Sequence, residues 1–146
     1  MAVRGSDGTE NQGRFTADTT GTDRRAIAAV LAAERALGRD PREMPHNNPG
    51  YDIESRRPDG HLVYIEVKGR IEGAEEFWVT KTEVLHGKNS AAGSRLAMVS
   101  VSPRGPSFDQ VRYIVDPFRD VTFGDFAATG MLGHWQREWQ RGGQPQ

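Results

Sequence analysis

The run His61-Leu62-Val63-Tyr64-Ile65-Glu66-Val67-Lys68-Gly69 constrains the fold more than any other stretch of the chain. It is rich in β-branched residues and reads as a strand. Side chains alternate across a strand, so Val63, Ile65 and Val67 share one face, which can be buried. Glu66 and Lys68 share the other, an acid and a base two residues apart in the middle of an apolar strand. Upstream, Tyr51-Asp52-Ile53-Glu54-Ser55 alternates as a shorter strand. Arg57-Pro58-Asp59-Gly60 between them suits a type I turn. The two strands should pair as an antiparallel hairpin that places Asp52 opposite roughly Tyr64 to Glu66, one cross-strand or diagonal step from Glu66. Two carboxylates that close repel each other unless a cation or a proton lies between them.

The rest of the chain supplies partners for this hairpin. Thr22 or Asp23 can cap a helix running to Leu37, with Gly38 as its stop. Ile27, Val30, Leu31 and Leu37 share its apolar face, and Glu34 falls on that same face. An acid buried there needs a partner. If the helix lies against the hairpin, Glu34 faces Asp52 and Glu66, and Glu34→Gln should stabilise the metal-free protein. Phe77-Trp78-Val79 reads as a short strand. Thr80-Lys81-Thr82-Glu83 is a capping-box pattern opening a helix to about Lys88, which makes Glu83 a capping residue before it is a ligand. Leu96 to Val101 and Val111 to Val115 are further strands. Met131, Leu132, Trp135 and Trp139 mark the apolar side of a closing helix, with the tryptophans as core or interface residues. The order is helix, three or four strands, helix, two strands, helix: an α/β chain with a central sheet.

Composition bounds the setting. The 146 residues suit one domain with a proper core. Residues 1–21 and 142–146 are polar and Gly-bearing and read as disordered tails around a domain at 22–141. Zero Cys removes disulfides, thiol nucleophiles and Cys-zinc sites. No apolar run approaches a membrane span, and the first 21 residues lack a secretion-signal core, so a cytoplasmic location is expected. Nineteen basic residues face twenty acidic ones, a net charge of -1. Any phosphate-binding surface must therefore be local. Sixteen of the basic residues are Arg, and the three Lys (Lys68, Lys81 and Lys88) fall in one stretch.

Asp52, thirteen residues, then Glu66-Val67-Lys68 resembles the Asp…Glu-X-Lys signature of the PD-(D/E)XK nuclease superfamily. Ala-Glu-Arg-Ala-Leu-Gly-Arg at 33–39, Gly-Tyr-Asp-Ile-Glu-Ser at 50–55, Ile-Glu-Val-Lys-Gly-Arg at 65–70 and Val-Thr-Lys-Thr-Glu at 79–83 together resemble the NO VEIN C-terminal domain family, over about residues 22–118. That family occurs alone and at the ends of large bacterial helicases and defence-type proteins. The resemblance implies a restriction-endonuclease-like three-layer core, with a central mixed sheet of about five strands flanked by helices.

It also implies site roles. Asp52 and Glu66 would bind a divalent metal, with the Val67 carbonyl as a third ligand. Lys68 would stand at the attacking water or the scissile phosphate, and Glu34 would be the acid contributed by the first helix. Oxygen ligands without Cys favour Mg²⁺ or Mn²⁺. Lys81, Lys88, Arg70 and Arg56 could line a phosphate path, and His46 is a candidate general base. The expected activity is phosphodiester hydrolysis in DNA, in phage defence or DNA processing. The alternative is a catalytically silent DNA- or protein-binding module that targets a helicase or methylase partner. The sequence leaves a homodimer open.

Overall fold

The computed structural model describes residues 8–122 and 129–146, with side chains from Gly21 onward. Helix α1 (Gly8–Ala36) is followed by β1 (Asp40–Glu43), β2 (Ile53–Arg56), β3 (Leu62–Ile71), β4 (Glu76–Thr80) and α2 (Lys81–Ser90). Strands β5 (Ser94–Val101), β6 (Gln110–Val115) and β7 (Gly130–His134) and helix α3 (Trp135–Arg141) complete the order. The central sheet runs β1-β2-β3-β5-β6, while β4 pairs with β7 in a separate ribbon. Within this sheet β3 and β5 are parallel, and β1–β2, β2–β3 and β5–β6 are antiparallel. This is the mixed five-strand sheet expected, in a three-layer core.

The alternation of β3 decides which layer goes where. Val63, Ile65 and Val67 pack with Ala26 and Val30 of α1 and with Ile53, Ala97, Val99 and Tyr113. On the other side Leu96, Met98 and Ile114 pack with Val84 of α2, Phe77 and Val79 of β4, Met131 of β7 and Trp135 of α3. Strand β5 is thus apolar on both faces, as befits a central strand with layers above and below. Gly69 lets α1 come close: a Cβ there would lie 2.4 Å from the Ala26 Cβ. The expected hairpin turn is present, with the Gly60 N–H donating to the Arg57 carbonyl at 2.9 Å.

Four local expectations change. First, α1 begins at Gly8 rather than at Thr22. No proline interrupts residues 8–21, so the Ala-rich part can propagate backwards; residues 1–7 of the expected tail lie outside the described residues. Second, β1 was hidden by Pro41, which sits at the sheet edge where its missing N–H costs little. Third, Met131 and Leu132 are in β7, not in the closing helix. Gly133 lies so close to the Phe77 ring that a Cβ would be 2.5 Å from it. Trp135 and Trp139 do share α3, stacked at 5.8 Å, and Trp135 is in the core. Fourth, residues 142–146 are docked rather than loose. Gly143 and Tyr113 exchange backbone hydrogen bonds of 2.9 and 3.0 Å, and the Arg95 Nε donates to the Gln146 main-chain oxygen at 2.8 Å. The open edge of β6 supplies the unpaired groups that hold this segment. Among the described residues no helix is long and apolar enough to cross a membrane.

Glu34 requires the main correction. It is fully buried on the apolar stripe of α1, as its spacing predicts, but that stripe faces the Val63–Ile65–Val67 side of the sheet. Its carboxylate accepts from the Tyr113 hydroxyl at 2.7 Å and from Arg39 Nη1 at 3.3 Å to both oxygens. Burial, reinforced by the Glu34 charge, pushes the Tyr113 hydroxyl pKa far above its ordinary value. Glu34 is therefore half of a buried ion pair with Arg39, its bond from Tyr113 ties α1 to β6, and the sheet separates it from Glu66 and Lys68. Glu34→Ala strands the Arg39 guanidinium and the Tyr113 hydroxyl and should cost about 3 kcal/mol in chemical denaturation. A variant more stable than wild type would return Glu34 to the acid cluster.

Candidate metal and phosphate site

Asp52 stands just before β2. The hairpin register pairs Ile53 with Ile65 and Glu54 with Tyr64, so one step further brings Asp52 opposite Glu66. The Asp52 N–H donates to the Ile65 carbonyl at 2.9 Å, and the Val67 N–H donates to Asp52 Oδ2 at 2.8 Å. Asp52 is thus held by the backbone of the strand that carries Glu66 and Lys68. Lys68 Nζ lies 3.2 Å from Glu66 Oε1 and 3.0 Å from Glu83 Oε1. The side chains of Glu66, Lys68 and Glu83 are only 7%, 16% and 17% exposed, so the three meet largely out of water.

Glu83 comes from α2. The capping box is complete: Thr80 Oγ1 accepts the Glu83 N–H at 3.1 Å, and Glu83 Oε1 accepts the Thr80 N–H at 2.8 Å. The same oxygen receives Lys68. The cap therefore fixes the start of α2 and brings a third carboxylate to the hairpin. Its sequence pattern marks the cap; the contact with Lys68 depends on β4 leading directly into α2 beside β3, which spacing alone does not give.

Three acids share one lysine, and the electrostatics record the imbalance. Burial pushes the Glu66 carboxyl well above its usual range, and the charges of Glu83 and Asp52 push the same way against Lys68. Burial also raises Asp52, partly offset by its bond from the Val67 N–H. Burial would raise Glu83 as well, but Lys68, Glu66 and the Thr80 N–H hold it down at about 2. Burial works against the Lys68 charge, yet Glu83 and Glu66 outweigh it and keep the ammonium above its ordinary value. The cluster thus holds a firmly ionised Lys68–Glu83 pair, beside Glu66 and Asp52, which retain protons more readily than free carboxyls.

The remaining candidates separate. Val67 packs its side chain into the α1 side of the core, leaving only its main chain beside Asp52. Arg70 continues the Glu66–Lys68 face of β3 and is half-buried. Arg56 is exposed at the far end of β2, its Nη1 3.5 Å from the Gly60 carbonyl. Lys81 is exposed in the first turn of α2. Lys88 is committed elsewhere: its Nζ donates to the carbonyls of Phe118, Arg119 and Val121 at 3.2, 3.2 and 2.7 Å. It anchors the segment after β6 and is not free for phosphate. His46 is exposed on the loop before β2. A further imidazole, that of His86 one turn beyond Glu83 on α2, packs with Tyr51 and Tyr64; no spacing in the sequence marked it.

The donor chemistry suits a hard divalent cation, since the groups are oxygen-only and carry more acid than the single lysine balances. Among the described residues, no three His, Asp or Glu side chains close on a common point as a ready three-ligand centre. A cation here would rest on Asp52 and Glu66 with main-chain or water oxygens.

Comparison with known proteins bears on the family and the fold. The sequence model of the family described as "Protein NO VEIN, C-terminal" matches residues 22–114. Among solved structures the chain is similar to Hjc, a Holliday junction resolvase from Archaeoglobus fulgidus, with a TM-score of 0.53 at 14% identity, over 81% of this chain and 92% of that one. At that identity the likeness concerns the fold, which is restriction-endonuclease-like. No curated protein matches the chain in sequence.

A raised carboxyl pKa means that the folded state holds the proton more tightly than the unfolded state. The stabilising contribution of Glu66 is therefore full below its unfolded value and is lost as pH rises through the folded one. Glu66→Gln keeps the shape and cannot ionise. Without divalent cations it should melt higher than wild type at about pH 8, with the gap closing towards about pH 4. Calorimetry across that range checks this; a variant less stable at every pH would show Glu66 to be a net stabilising ion-pair partner of Lys68.

Proposed function

The chain belongs to the protein NO VEIN C-terminal family, and on that premise we propose that it hydrolyses phosphodiester bonds in DNA with a divalent cation, Mg²⁺ or Mn²⁺, at the Asp52–Glu66–Lys68 cluster. One observation carries this reading. The fold brings an acid before β2 and an acid–base pair on β3 to one point, with the base held by a further acid. Asp52 and Glu66, with the Val67 carbonyl, would hold the cation. When bound, it would polarise the phosphate and lower the pKa of a coordinated water.

The chain's own residues do the positioning. The Val67 N–H fixes Asp52 Oδ2, and the carboxylate so held beside Glu66 would serve as a donor to the cation. Lys68 supplies a fixed positive charge for the negative charge that develops on the phosphate in the transition state. Glu83 holds Lys68 without moving itself, because Thr80 and the start of α2 lock it. Lys81 and Arg56, both exposed, would meet flanking phosphates, and Arg70 would add its charge from the Glu66–Lys68 face of β3. In this reading the domain acts on DNA in the cytoplasm, in defence or DNA processing.

A second reading rests on Lys68 itself. It is gripped by two carboxylates, and the chain carries no net positive charge. That also suits a silent module that binds DNA or protein and delivers a helicase or methylase partner.

Purified protein should nick supercoiled plasmid with Mg²⁺ or Mn²⁺ and stop in EDTA. Lys68→Ala should lower the rate by about 10²-fold or more. Cleavage that persists in EDTA, or at an unchanged rate in Lys68→Ala, contradicts the assignment. Inactivity of well-folded wild type on every substrate and metal favours the silent module.

A further inference from the structure

Beside the acid cluster lies a second cluster that the proposed chemistry does not use. The rings of Tyr51, Tyr64 and His86 gather at centroid distances of 5.0 Å (Tyr51–Tyr64), 4.6 Å (Tyr51–His86) and 5.3 Å (Tyr64–His86). Each sits next to one member of the acid set. Tyr51 precedes Asp52. Tyr64 is two residues before Glu66, on the same face of β3. His86 is one helical turn beyond Glu83. All three are half-buried, so part of each ring reaches solvent.

The rings are rigidly placed. Gly50 packs against His86 so tightly that a Cβ would lie 2.7 Å from the His86 Cβ, and Gly50 has a positive φ of 92° that other residues adopt at a cost. The Asn48 side chain donates to the Tyr51 carbonyl at 3.0 Å. The loop that carries Tyr51 and Asp52 is therefore pinned to α2. The polar ends of the rings are uncommitted: among the described residues, neither tyrosine hydroxyl nor a His86 ring nitrogen makes a hydrogen bond. In the neighbouring acid cluster, by contrast, Asp52, Glu66, Lys68 and Glu83 all have partners.

Charge gives the ring cluster a task. A phosphate backbone is attracted by Lys and Arg, and this site offers few: Lys68 is paired with acids and Lys88 is withdrawn into carbonyls. A nucleic acid held here needs another source of affinity. Aromatic faces supply one by stacking on bases, whatever the sequence, and tyrosine hydroxyls add donors for sugar or phosphate oxygens. Stacking requires a base that has left its duplex. Resting on the nuclease reading above, we propose that Tyr51, Tyr64 and His86 form a nucleoside subsite flanking the scissile phosphate, so that the substrate is DNA with an unpaired nucleotide at the cut.

A short oligonucleotide bearing one fluorescent adenine analogue tests this, because such bases are quenched when stacked on a ring. The titrations use the full chain with Ca²⁺, on a single strand and on a blunt duplex of the same sequence. Wild type should quench the single strand and bind it more tightly than the duplex. Tyr64→Leu and Tyr51→Leu should each weaken single-strand binding by roughly tenfold and abolish quenching, with duplex binding little changed. Tyr64→Phe, which keeps the ring, should restore quenching. Should one leucine variant fail to fold, the other and the phenylalanine variant carry the comparison. Equal affinity for single strand and duplex, or quenching that survives in a folded leucine variant, overturns the subsite. If Mg²⁺-dependent plasmid nicking and its loss in Lys68→Ala still hold, the nuclease reading survives that failure; if nicking is also absent, both fall.

Discussion

Everything in this molecule turns on the two faces of one strand. β3 presents Val63, Ile65 and Val67 to α1, and that burial anchors the first helix. The same alternation obliges Glu66 and Lys68 to the opposite side, where α2 and the β4–β7 ribbon close over them. An acid and a base in mid-sheet cannot be left dry and unpaired, since burying a lone charge costs several kcal/mol. Glu83 meets this need by pairing with Lys68, but it brings a further negative charge. The result is a cluster that the fold satisfies only in part, and the unmet part is negative.

The division of labour between the two faces separates structural from chemical ionic groups. On the α1 side, Glu34, Arg39 and Tyr113 form a closed set in which the acid has both a cation and a hydroxyl. Such a set fixes the seat of a helix and has nothing left to offer a ligand. On the α2 side, Asp52 and Glu66 share the single positive charge of Lys68 with Glu83. Burial alone does not distinguish the two sets; the balance of acid against base does.

Much of this was legible in the chain. The period-two alternation of residues 61–69 and the Pro58–Gly60 turn specify the hairpin and the meeting of Asp52 with Glu66, because both depend on local geometry. The capping box at Thr80 is equally local. Glu34 was misplaced although the needed information was present. Its helix was expected to lie against the hairpin with Glu34 facing Asp52 and Glu66, but an apolar helix stripe packs on the apolar face of the hairpin, which is by construction the face away from Glu66. The role of Glu83 beside Lys68, the gathering of Tyr51, Tyr64 and His86, and the pairing of Met131 and Leu132 with β4 rest on contacts between distant segments. No periodicity encodes these. Lys88 looked like a phosphate ligand only because a free charge and one buried among carbonyls are identical in sequence.

The surplus of carboxylate at Asp52 and Glu66 is where we propose that a cation binds. Anomalous scattering from a crystal of the wild-type protein grown with Mn²⁺ tests it most directly. A peak is expected about 2 Å from oxygens of both Asp52 and Glu66, with Lys68 retained on Glu83. No peak there, with Lys68 still bridging Glu66 and Glu83 and Mn²⁺ bound elsewhere or not at all, would contradict it.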